Sequence, residues 1–307
     1  MEKKERIPAL LILSGPTASG KSSLAESLAL EYGFPIISAD SRQIYRGFDI
    51  GTAKPSSSTL SKVHYEMIDI LEPYEKFSAG KFARQAAELI YGALKEKRII
   101  IITGGTGFYI SALTEGLANI PGIETRIDQK WDRILANQGL PYLQKEIGKL
   151  DPRYAAAGDL QNKNRLLRAI KIADQTGQSI LDYSPQPFLK PYHPVGYFAI
   201  HRDREDLYHR INARVDQMIE SGLVEEVRRL LHHRDCPAMN TVGYKELIPY
   251  LELKIPLEEA VENIKQHSRN YAKRQMTWLR RNKSWNWIDV KNPQPLREWI
   301  DLHTQEG

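Results

Sequence analysis

The chain has 307 residues, a formal net charge of +5 and a pI near 9.0. This length allows one large domain or two smaller ones, and the ordinary composition excludes a fibrous or fully disordered chain. The basic balance is compatible with an anionic partner but does not require one. Cys236 is the single cysteine, which excludes an internal disulfide and a cysteine-based zinc site.

The first apolar run, Ala9–Leu13, is short. A signal peptide needs a longer apolar region, and a membrane span needs about 20 apolar residues. We therefore expect no membrane segment and a soluble protein of the cytoplasm.

A glycine-rich segment follows this run and matches the pattern G-x-x-x-x-G-K-[ST]. Its residues are Gly15, Pro16, Thr17, Ala18, Ser19, Gly20, Lys21 and Ser22. An apolar strand before the segment and a helical pattern after it are the context of a phosphate-binding loop, where backbone amides and the helix N-terminus bind the anion. The Lys21 ammonium would reach outer phosphate oxygens, and the Ser22 hydroxyl would ligate Mg²⁺. The alternative is a purely structural glycine turn, which the strand and helix on either side disfavour.

Strand and helix patterns alternate up to about residue 120. They predict a strand at 35–40, a long loop at 41–62, a short strand at 66–70, a helix at 79–97 with Ser78 as its N-cap, and a buried strand at 98–103. The last strand leads into Gly104-Gly105-Thr106-Gly107, a second tight turn. Ligands of parallel α/β sheets bind at the carboxyl ends of the strands, so the phosphate loop, Asp40 and Thr106 should meet in one crevice.

The pattern changes between about 121 and 187. Helices are predicted at 131–138, 140–149 and 164–176, without a strand; a strand returns at 195–200, followed by helices near 206–220, 223–232 and 257–281 and a strand at 285–290. We predict an α/β, P-loop NTPase-like fold, with a parallel sheet and helices on both faces. The core would be formed by residues 1–120 and 191–307, and an inserted all-helical domain by residues 121–190.

The segment 262–283 combines one acid with many bases, and Tyr271 and Trp278 lie among them. The bases are Lys265, Arg269, Lys273, Arg274, Arg280, Arg281 and Lys283. The segment is either a solvated helix face or a track for nucleic-acid phosphates, with bases stacked on the aromatic rings. Charge alone does not distinguish these two interpretations.

A phosphate loop by itself favours phosphoryl transfer from a nucleotide. Such enzymes commonly carry an acid after an apolar strand, but the strand at 98–103 ends in Thr103-Gly104-Gly105. Asp40 is the best-placed carboxylate, with Asp69 a weaker candidate. Asp40 serves either as a turn or capping residue or as a general base beside the phosphate site, and its predicted position favours the general base.

The segment Ser38–Pro55, which contains Asp40, resembles the signature of the tRNA dimethylallyltransferases, also called tRNA isopentenyltransferases. Five further segments match motifs of that family in the family's order. The six are Gly15–Ser22, Ser38–Pro55, Thr103–Tyr109, Asn164–Ala169, Asn240–Lys245 and Tyr271–Arg280. The resemblance spans roughly residues 8 to 290. Six motifs in order make it specific, whereas the phosphate loop alone is not.

The resemblance implies that a dimethylallyl group is transferred from dimethylallyl diphosphate to N6 of adenosine 37, beside the anticodon of tRNA. Asp40 matches the family's general base, Thr106 a threonine that positions the reacting groups, and Arg214 an arginine that contributes to diphosphate binding. Residues 15–22 would hold the diphosphate, with Mg²⁺ on Ser22. The residues that match tRNA-contacting segments are Asp40, Ser41, Arg42, Gln43, Asn164, Arg165, Leu166, Leu167, Arg168, Asn240, Thr241, Val242, Gly243, Tyr244 and Lys245.

The implied partners are the anticodon stem-loop of tRNA and dimethylallyl diphosphate, with no membrane and no obligate protein partner. Ser22 stands where many members have threonine, which is equivalent as a Mg²⁺ ligand. The chain stops at Gly307 without the zinc finger of many eukaryotic members, which implies the bacterial type. Arg126 lies near a further arginine of the family but at a shorter spacing, so we assign it no role.

Two other functions stay open at this point. An ATP-dependent kinase of small molecules or nucleosides would use the phosphate loop but leaves the motifs at 240–245 and 271–280 unexplained. A non-catalytic RNA-binding protein would have no reason to keep Lys21, Ser22 and Asp40 together.

Overall fold

A computed structural model of the protein describes residues 9–92, 99–189 and 194–304. The chain divides into two compact units. The first comprises Met1–Thr114 and Phe188–Gly307, and the second comprises Glu115–Pro187. The predicted insertion at 121–190 overlaps the second unit.

The first unit contains a six-stranded sheet in which every neighbouring pair of strands is parallel. In chain order the strands are β1 (Ala9–Ser14), β2 (Ile36–Ser38), β3 (Tyr65–Glu66), β4 (Ile99–Gly104), β7 (Val195–His201) and β8 (Asn286–Asp289). Their order across the sheet is β3-β2-β4-β1-β7-β8. The predicted parallel α/β sheet is therefore confirmed.

Helices connect these strands. They are α1 (Lys21–Tyr32), α2 (Ser57–Leu60), α3 (Ala79–Tyr91), α4 (Gly107–Thr114), α8 (Arg204–Glu220), α9 (Leu223–Leu230), α10 (Leu247–Leu251), α11 (Leu257–Arg281) and α12 (Gln294–Thr304), with 3₁₀ turns at Leu231–His233 and Pro237–Asn240. Ser78 caps α3 as predicted, since its side chain accepts a hydrogen bond from the Lys81 amide at 3.2 Å. The part of the predicted helix from 93 to 97 lies outside the described residues.

Both faces of the central strands are covered. Side chains of β1 alternate between the two faces. Leu11 and Leu13 pack in one cluster with Leu28 of α1 and Ile300 of α12, and Leu10, on the opposite face, is equally buried. A strand buried on both faces needs a continuous apolar run, which is the pattern the sequence has at β1 and β4.

Two predicted elements differ from the structure. The strand predicted at 66–70 ends at Glu66, because Met67 and Asp69 adopt φ values of 67° and 54°, which lie in the left-handed region. The predicted loop at 41–62 contains α2 and three buried side chains, Ile44, Tyr45 and Phe48. Ile44 and Phe48 belong to a second hydrophobic cluster, built with α8, α9, α10 and α11, so this long connection is ordered by packing.

The second unit is built on three helices: α5 (Thr125–Leu150), α6 (Pro152–Ala157) and α7 (Lys163–Thr176), with a 3₁₀ turn at Ile180–Asp182. The two helices predicted at 131–138 and 140–149 form one helical span that breaks at Gly139, whose φ of 72° and ψ of −176° are not helical. The insertion was predicted to be all-helical, but the second unit also contains strands. Two short strands, β5 (Leu117–Ala118) and β6 (Pro185–Gln186), pair antiparallel within it.

Lys171 joins two helices of the second unit. Its side chain is buried, and its Nζ lies 2.6 Å from a carboxylate oxygen of Asp128 and 2.6 Å from one of Asp132. Two carboxylates offset the desolvation of one buried ammonium, so the contact fixes α7 against α5. Throughout the described ranges, no helix is long and apolar enough to cross a membrane.

Candidate active site

The loop between β1 and α1 has the conformation of an anion-binding turn. Gly20 adopts a φ of 98° and Ala18 a φ of 61°, so the chain reverses sharply before α1 begins at Lys21. A Cβ at Gly15 would lie 2.7 Å from the Ser19 hydroxyl oxygen, which explains a glycine there. Within the described chain, the amides of Gly20, Lys21 and Ser22 have no hydrogen-bond acceptor. These amides are available to an anion.

Two other amides of this loop are already used. The Ser19 amide donates to the Pro16 carbonyl at 3.2 Å, and the Thr17 amide donates to the Gln275 side chain at 2.8 Å. Residues 15–22 were expected to hold a diphosphate through their backbone amides, but the amides of Thr17 and Ser19 are not available for this. The free donors are concentrated at the start of α1, where the helix dipole also favours negative charge.

Four cations surround the loop. Arg214 donates to the Thr17 hydroxyl at 3.1 Å, Arg202 to the Ser19 carbonyl at 2.7 Å and Arg210 to the Ala18 carbonyl at 2.9 Å. The Lys21 ammonium lies 3.4 Å from the Pro16 carbonyl oxygen.

The pKa of Lys21 is lowered to about 8. Burial is the largest cause and the Arg214 charge the next, whereas the Asp40 charge opposes the shift. Burial also lowers the pKa of Arg214, which Asp40 likewise opposes. Such crowding of cations is costly without an anion, so the geometry fits a strongly negative ligand.

Asp40 and Thr106 lie at the carboxyl ends of adjacent strands, β2 and β4, as the sequence predicts. An oxygen of the Asp40 carboxylate accepts from the Arg42 amide at 2.8 Å. The Thr106 hydroxyl oxygen accepts from the Ser41 amide at 3.0 Å, and the Thr106 amide donates to the Ala39 carbonyl at 3.2 Å. The turn after β4 is thereby fixed against the segment that carries Asp40.

Gly104 permits this approach of the two strands. A Cβ at Gly104 would lie 2.2 Å from the Ala39 carbonyl oxygen, closer than any real contact. Tyr271 of α11 lies beside the same groups: burial raises its pKa to about 12, the Asp40 charge raises it further, and a hydrogen bond with Thr106 opposes the shift. The Tyr271 hydroxyl is therefore protonated at neutral pH.

One cleft of about 610 Å³ unites these groups, and all of its lining lies in the first unit. Of the predicted site residues, it is lined by Thr17, Ala18, Gly20, Lys21, Ser22, Asp40, Ser41, Arg42, Gln43, Arg214, Asn240, Thr241, Val242, Gly243 and Lys245. Thr106 is not a lining residue and reaches the cleft through Ser41. The apolar part of the wall includes Ile211, Met218 and Ile264.

Hydrogen bonds at both atoms of its side-chain amide fix the orientation of Gln43. Its Oε1 accepts from the Ser38 hydroxyl at 2.9 Å, and its Nε2 donates to the carbonyls of Thr52 and Ala53 at 3.3 and 3.1 Å. Arg42 donates to the Pro237 carbonyl at 3.2 Å. Polar side chains with fixed orientation in the lining of a cleft suit recognition of a base edge.

A buried carboxylate that no sequence pattern singles out supports the segment 240–245. Glu226 of α9 accepts from the amides of Asp49, Ile50 and Gly51 at 3.2, 2.9 and 3.1 Å, and from the Tyr244 hydroxyl at 2.6 Å. Tyr244 itself is 0% exposed. It therefore supports the cleft wall and has no surface for a direct contact with RNA, unlike the exposed Asn240 and Lys245.

The predicted tRNA segment 164–168 lies on α7 in the second unit. Asn164, Arg165 and Arg168 are exposed, whereas Leu166 is 0% exposed and Leu167 packs against the hydrophobic cluster of that unit. Only the polar members of this segment can meet RNA directly. Arg126 is exposed near the start of α5 in the same unit.

The basic segment lies on α11. Some of its cations are bound to α8, and others have no ion-pair partner among the described residues. Lys265 pairs with Asp216 at 2.8 Å and Arg269 donates to Asn212 at 2.7 Å, so both are held against α8. Lys273 and Arg281 make no ion pair with the described residues and line a groove of about 470 Å³. The other residues that line it are Asn270, Arg274, Thr277 and Trp278. Unpaired cations beside a partly buried aromatic ring favour the phosphate-track interpretation.

A parallel sheet with helices on both faces and this loop between β1 and α1 place the chain in the class of P-loop-like α/β proteins. The sequence model of the family described as IPP transferase matches residues 43–282. A tRNA dimethylallyltransferase of Chlorobium phaeovibrioides is 42% identical over 94% of this chain and 95% of its own length. The chain belongs to the IPP transferase family.

Solved structures agree with this assignment. The full-length tRNA isopentenylpyrophosphate transferase of Bacillus halodurans matches with a TM-score of 0.71 and 34% identity, covering 97% of both chains. A eukaryotic dimethylallyltransferase described as acting on tRNA matches with a TM-score of 0.80 over 96% of this chain and 78% of its own. At 22% identity the latter shows the fold alone.

Proposed function

We propose that the protein transfers the dimethylallyl group of dimethylallyl diphosphate to N6 of adenosine 37 in tRNA, giving N6-dimethylallyladenosine and diphosphate. The observation that carries the proposal is a single cleft in which Asp40 faces the cationic phosphate loop. A relative named tRNA dimethylallyltransferase, 42% identical to this chain, supports it. Because its acceptor is tRNA, we place the activity in the cytoplasm.

In this reaction the adenosine N6 attacks the allylic C1 carbon. A carbon–nitrogen bond forms, the bond between C1 and the diphosphate oxygen breaks, and the N6 proton passes to the Asp40 carboxylate. Negative charge grows on the departing diphosphate, where Lys21, Arg214 and the amides at the start of α1 stabilise it. No phosphoryl group moves, which agrees with the lack of a carboxylate at the end of β4.

Mg²⁺ fits the donor set as a companion of the diphosphate. Ser22 supplies one hydroxyl, and the described residues contain no group of three acidic, histidine or cysteine side chains that could hold a metal by themselves. Mg²⁺ commonly binds through few protein ligands together with substrate phosphates and water. When bound, the ion would neutralise charge on the leaving diphosphate.

The acceptor base has to leave its stack to reach Asp40. Single-stranded loops are where RNA bases are accessible, and enzymes that modify a base commonly extrude it into a pocket. Gln43, Asn240 and Lys245 lie at the cleft where an extruded base would enter. The unpaired cations of α11 would bind backbone phosphates, and Asn164, Arg165 and Arg168 of the second unit would add contacts to the stem-loop.

The test uses dimethylallyl diphosphate labelled in the prenyl group and an unmodified tRNA transcript with adenosine at position 37. We expect label in the acid-precipitated tRNA, and none with a transcript that differs only by guanosine at position 37. A parallel reaction contains γ-labelled ATP and a panel of nucleosides. Label transferred from ATP but not from dimethylallyl diphosphate would establish a kinase and overturn the proposal.

A further inference from the structure

Gln275 of α11 is buried, and the oxygen and nitrogen of its side-chain amide hydrogen-bond to two different loops. Its Oε1 accepts from the Thr17 amide at 2.8 Å, and its Nε2 donates to the Gly105 carbonyl at 2.9 Å. The side chain is 6% exposed. A primary amide can do this because it carries an acceptor and a donor at one end of the side chain.

The two loops belong to the two halves of the proposed reaction. Thr17 lies in the loop that would hold the leaving diphosphate. Gly105 directly precedes Thr106, whose hydroxyl accepts from the Ser41 amide. Ser41 in turn follows Asp40, so Gln275 closes a continuous path of bonds from the phosphate loop to the general base.

The surroundings are shaped to hold Gln275 in this position. A Cβ at Gly105 would lie 2.1 Å from the Gln275 Nε2, and one at Gly107 would lie 2.2 Å from the Trp278 ring. Tyr271, one helical turn earlier on α11, lies beside Thr106. Residues 271, 275 and 278 share one face of α11. The glycines of the turn therefore let this face of α11 sit directly on it.

We propose that Gln275 is a positioning residue that sets the spacing between the diphosphate and the Asp40–Thr106 edge. The predicted effect on the reaction rate rests on the proposed function. The position of Gln275 between the two loops rests on the observed hydrogen bonds alone. Reacting groups misplaced by about 1 Å lose on the order of a hundredfold in rate. Loss of Gln275 should therefore lower kcat more than it raises either KM.

The first experiment compares Gln275→Met with Gln266→Met. Both substitutions are made on α11, but Gln266 is exposed. Methionine keeps the length of Gln275 and removes both hydrogen bonds. We expect kcat of Gln275→Met to fall about tenfold to a hundredfold, with both KM values within about threefold and a similar Tm. An unchanged kcat, or a loss that tracks the folded fraction alone, would show that Gln275 only packs α11.

A second variant separates geometry from folding. Gly105→Ala should displace the Gln275 amide, and this effect requires Gln275 to be present. Gly105→Ala should therefore reduce kcat strongly in the wild-type background and only slightly in a Gln275→Ala background, where the space is open. Equal factors in both backgrounds would contradict the inference.

A third measurement does not depend on the reaction. Hydrogen exchange followed by NMR would report the Thr17 amide, which loses its acceptor in Gln275→Met. We expect it to exchange at least tenfold faster, with the Ser41 amide also faster, while amides of β1 are unchanged. An unchanged rate at Thr17 overturns the inference, whether or not the wild-type protein prenylates tRNA. Absence of wild-type product together with faster exchange would overturn the proposed function alone.

Discussion

The Thr106 hydroxyl accepts a hydrogen bond from the Ser41 amide at 3.0 Å and so ties the turn after β4 to the residue that follows Asp40. The Asp40 carboxylate is anchored on the other side by the Arg42 amide. A carboxylate that accepts from one amide, on a backbone held at the following residue, is oriented before the substrate arrives. Orientation of this kind is a main source of rate enhancement.

Thr106→Val should therefore act mainly on kcat. Valine has the shape of threonine but cannot accept from the Ser41 amide, so Asp40 is held less well. We expect kcat to fall about tenfold to a hundredfold, with KM for dimethylallyl diphosphate nearly unchanged. Thr106→Ser keeps the hydroxyl and should stay within about threefold of wild type. Steady-state kinetics of both variants provide the test, and equal losses would show that keeping the hydroxyl is not enough to hold Asp40.

The pH dependence of diphosphate binding should report Lys21. Its pKa in the free protein is about 8, below the ordinary 10.5, so the charge is complete at pH 7 and is lost as the pH rises through 8. KM for dimethylallyl diphosphate should then rise above pH 8 by up to about tenfold per pH unit. Lys21→Arg keeps its charge and should flatten this rise. A rise of the same size in Lys21→Arg would assign it to another group.

Lys21 also gives a stability prediction with a definite sign. Between pH 8 and 10.5 the unfolded chain binds more protons at this residue than the folded protein. The free energy of unfolding therefore gains a contribution from Lys21 that increases with pH across this window. The slope in wild type minus the slope in Lys21→Met, measured by urea denaturation, should be positive there. A difference of zero or below would contradict the lowered pKa.

The unpaired cations of α11 predict a salt-dependent affinity for tRNA. Lys273→Ala combined with Arg281→Ala should weaken tRNA binding and reduce the slope of log K against log salt by about 0.7 to 0.9 per lost phosphate contact. Lys265→Ala combined with Arg269→Ala is the matched control, because it removes the same charge from residues bound to α8. Equal slopes for the two double variants would show that α11 acts only through net charge.

Glu226 should prove a stability determinant of the cleft wall. Glu226→Gln keeps one side-chain oxygen but replaces the other with an NH2 group, so the amides of residues 49–51 that bond the lost oxygen have no acceptor, at a cost of about 1 to 3 kcal/mol for each unsatisfied donor. Tyr244→Phe should lower the free energy of unfolding by about 1.5 to 3 kcal/mol. Glu225→Gln, on the exposed side of the same helix, should change it by less than about 1 kcal/mol. Chemical denaturation distinguishes the three, and a Glu226→Gln value no larger than the control would contradict this role.

The sequence predicted those elements whose signal is local. The apolar runs of β1 and β4 and the Ser78 cap all stand where the pattern placed them. The phosphate loop and Asp40 met in one cleft because the carboxyl ends of parallel strands share an edge. Local residue types and one rule of topology were enough for this part.

The remainder depended on contacts between distant residues. Glu226 lies 175 to 177 positions from the amides it accepts, and Gln275 lies 258 positions from Thr17. No periodicity reports such pairs. Tyr244 and Leu166 sit in motifs yet are buried, since a motif shows that a residue matters but not whether it contacts a ligand or supports one. The pairing of β5 with β6 was also missed, because two-residue strands carry no pattern.

In the proposed reaction, Asp40 accepts the N6 proton during prenyl transfer to tRNA. To test this role, tRNA is incubated with dimethylallyl diphosphate, Mg²⁺ and the protein. The tRNA is then digested to nucleosides, which are analysed by mass spectrometry. Wild type should yield N6-dimethylallyladenosine; Asp40→Asn keeps an oxygen for the Arg42 amide and should lose at least about a hundredfold in rate while binding tRNA normally. Prenylated adenosine formed at the wild-type rate by Asp40→Asn would contradict the account.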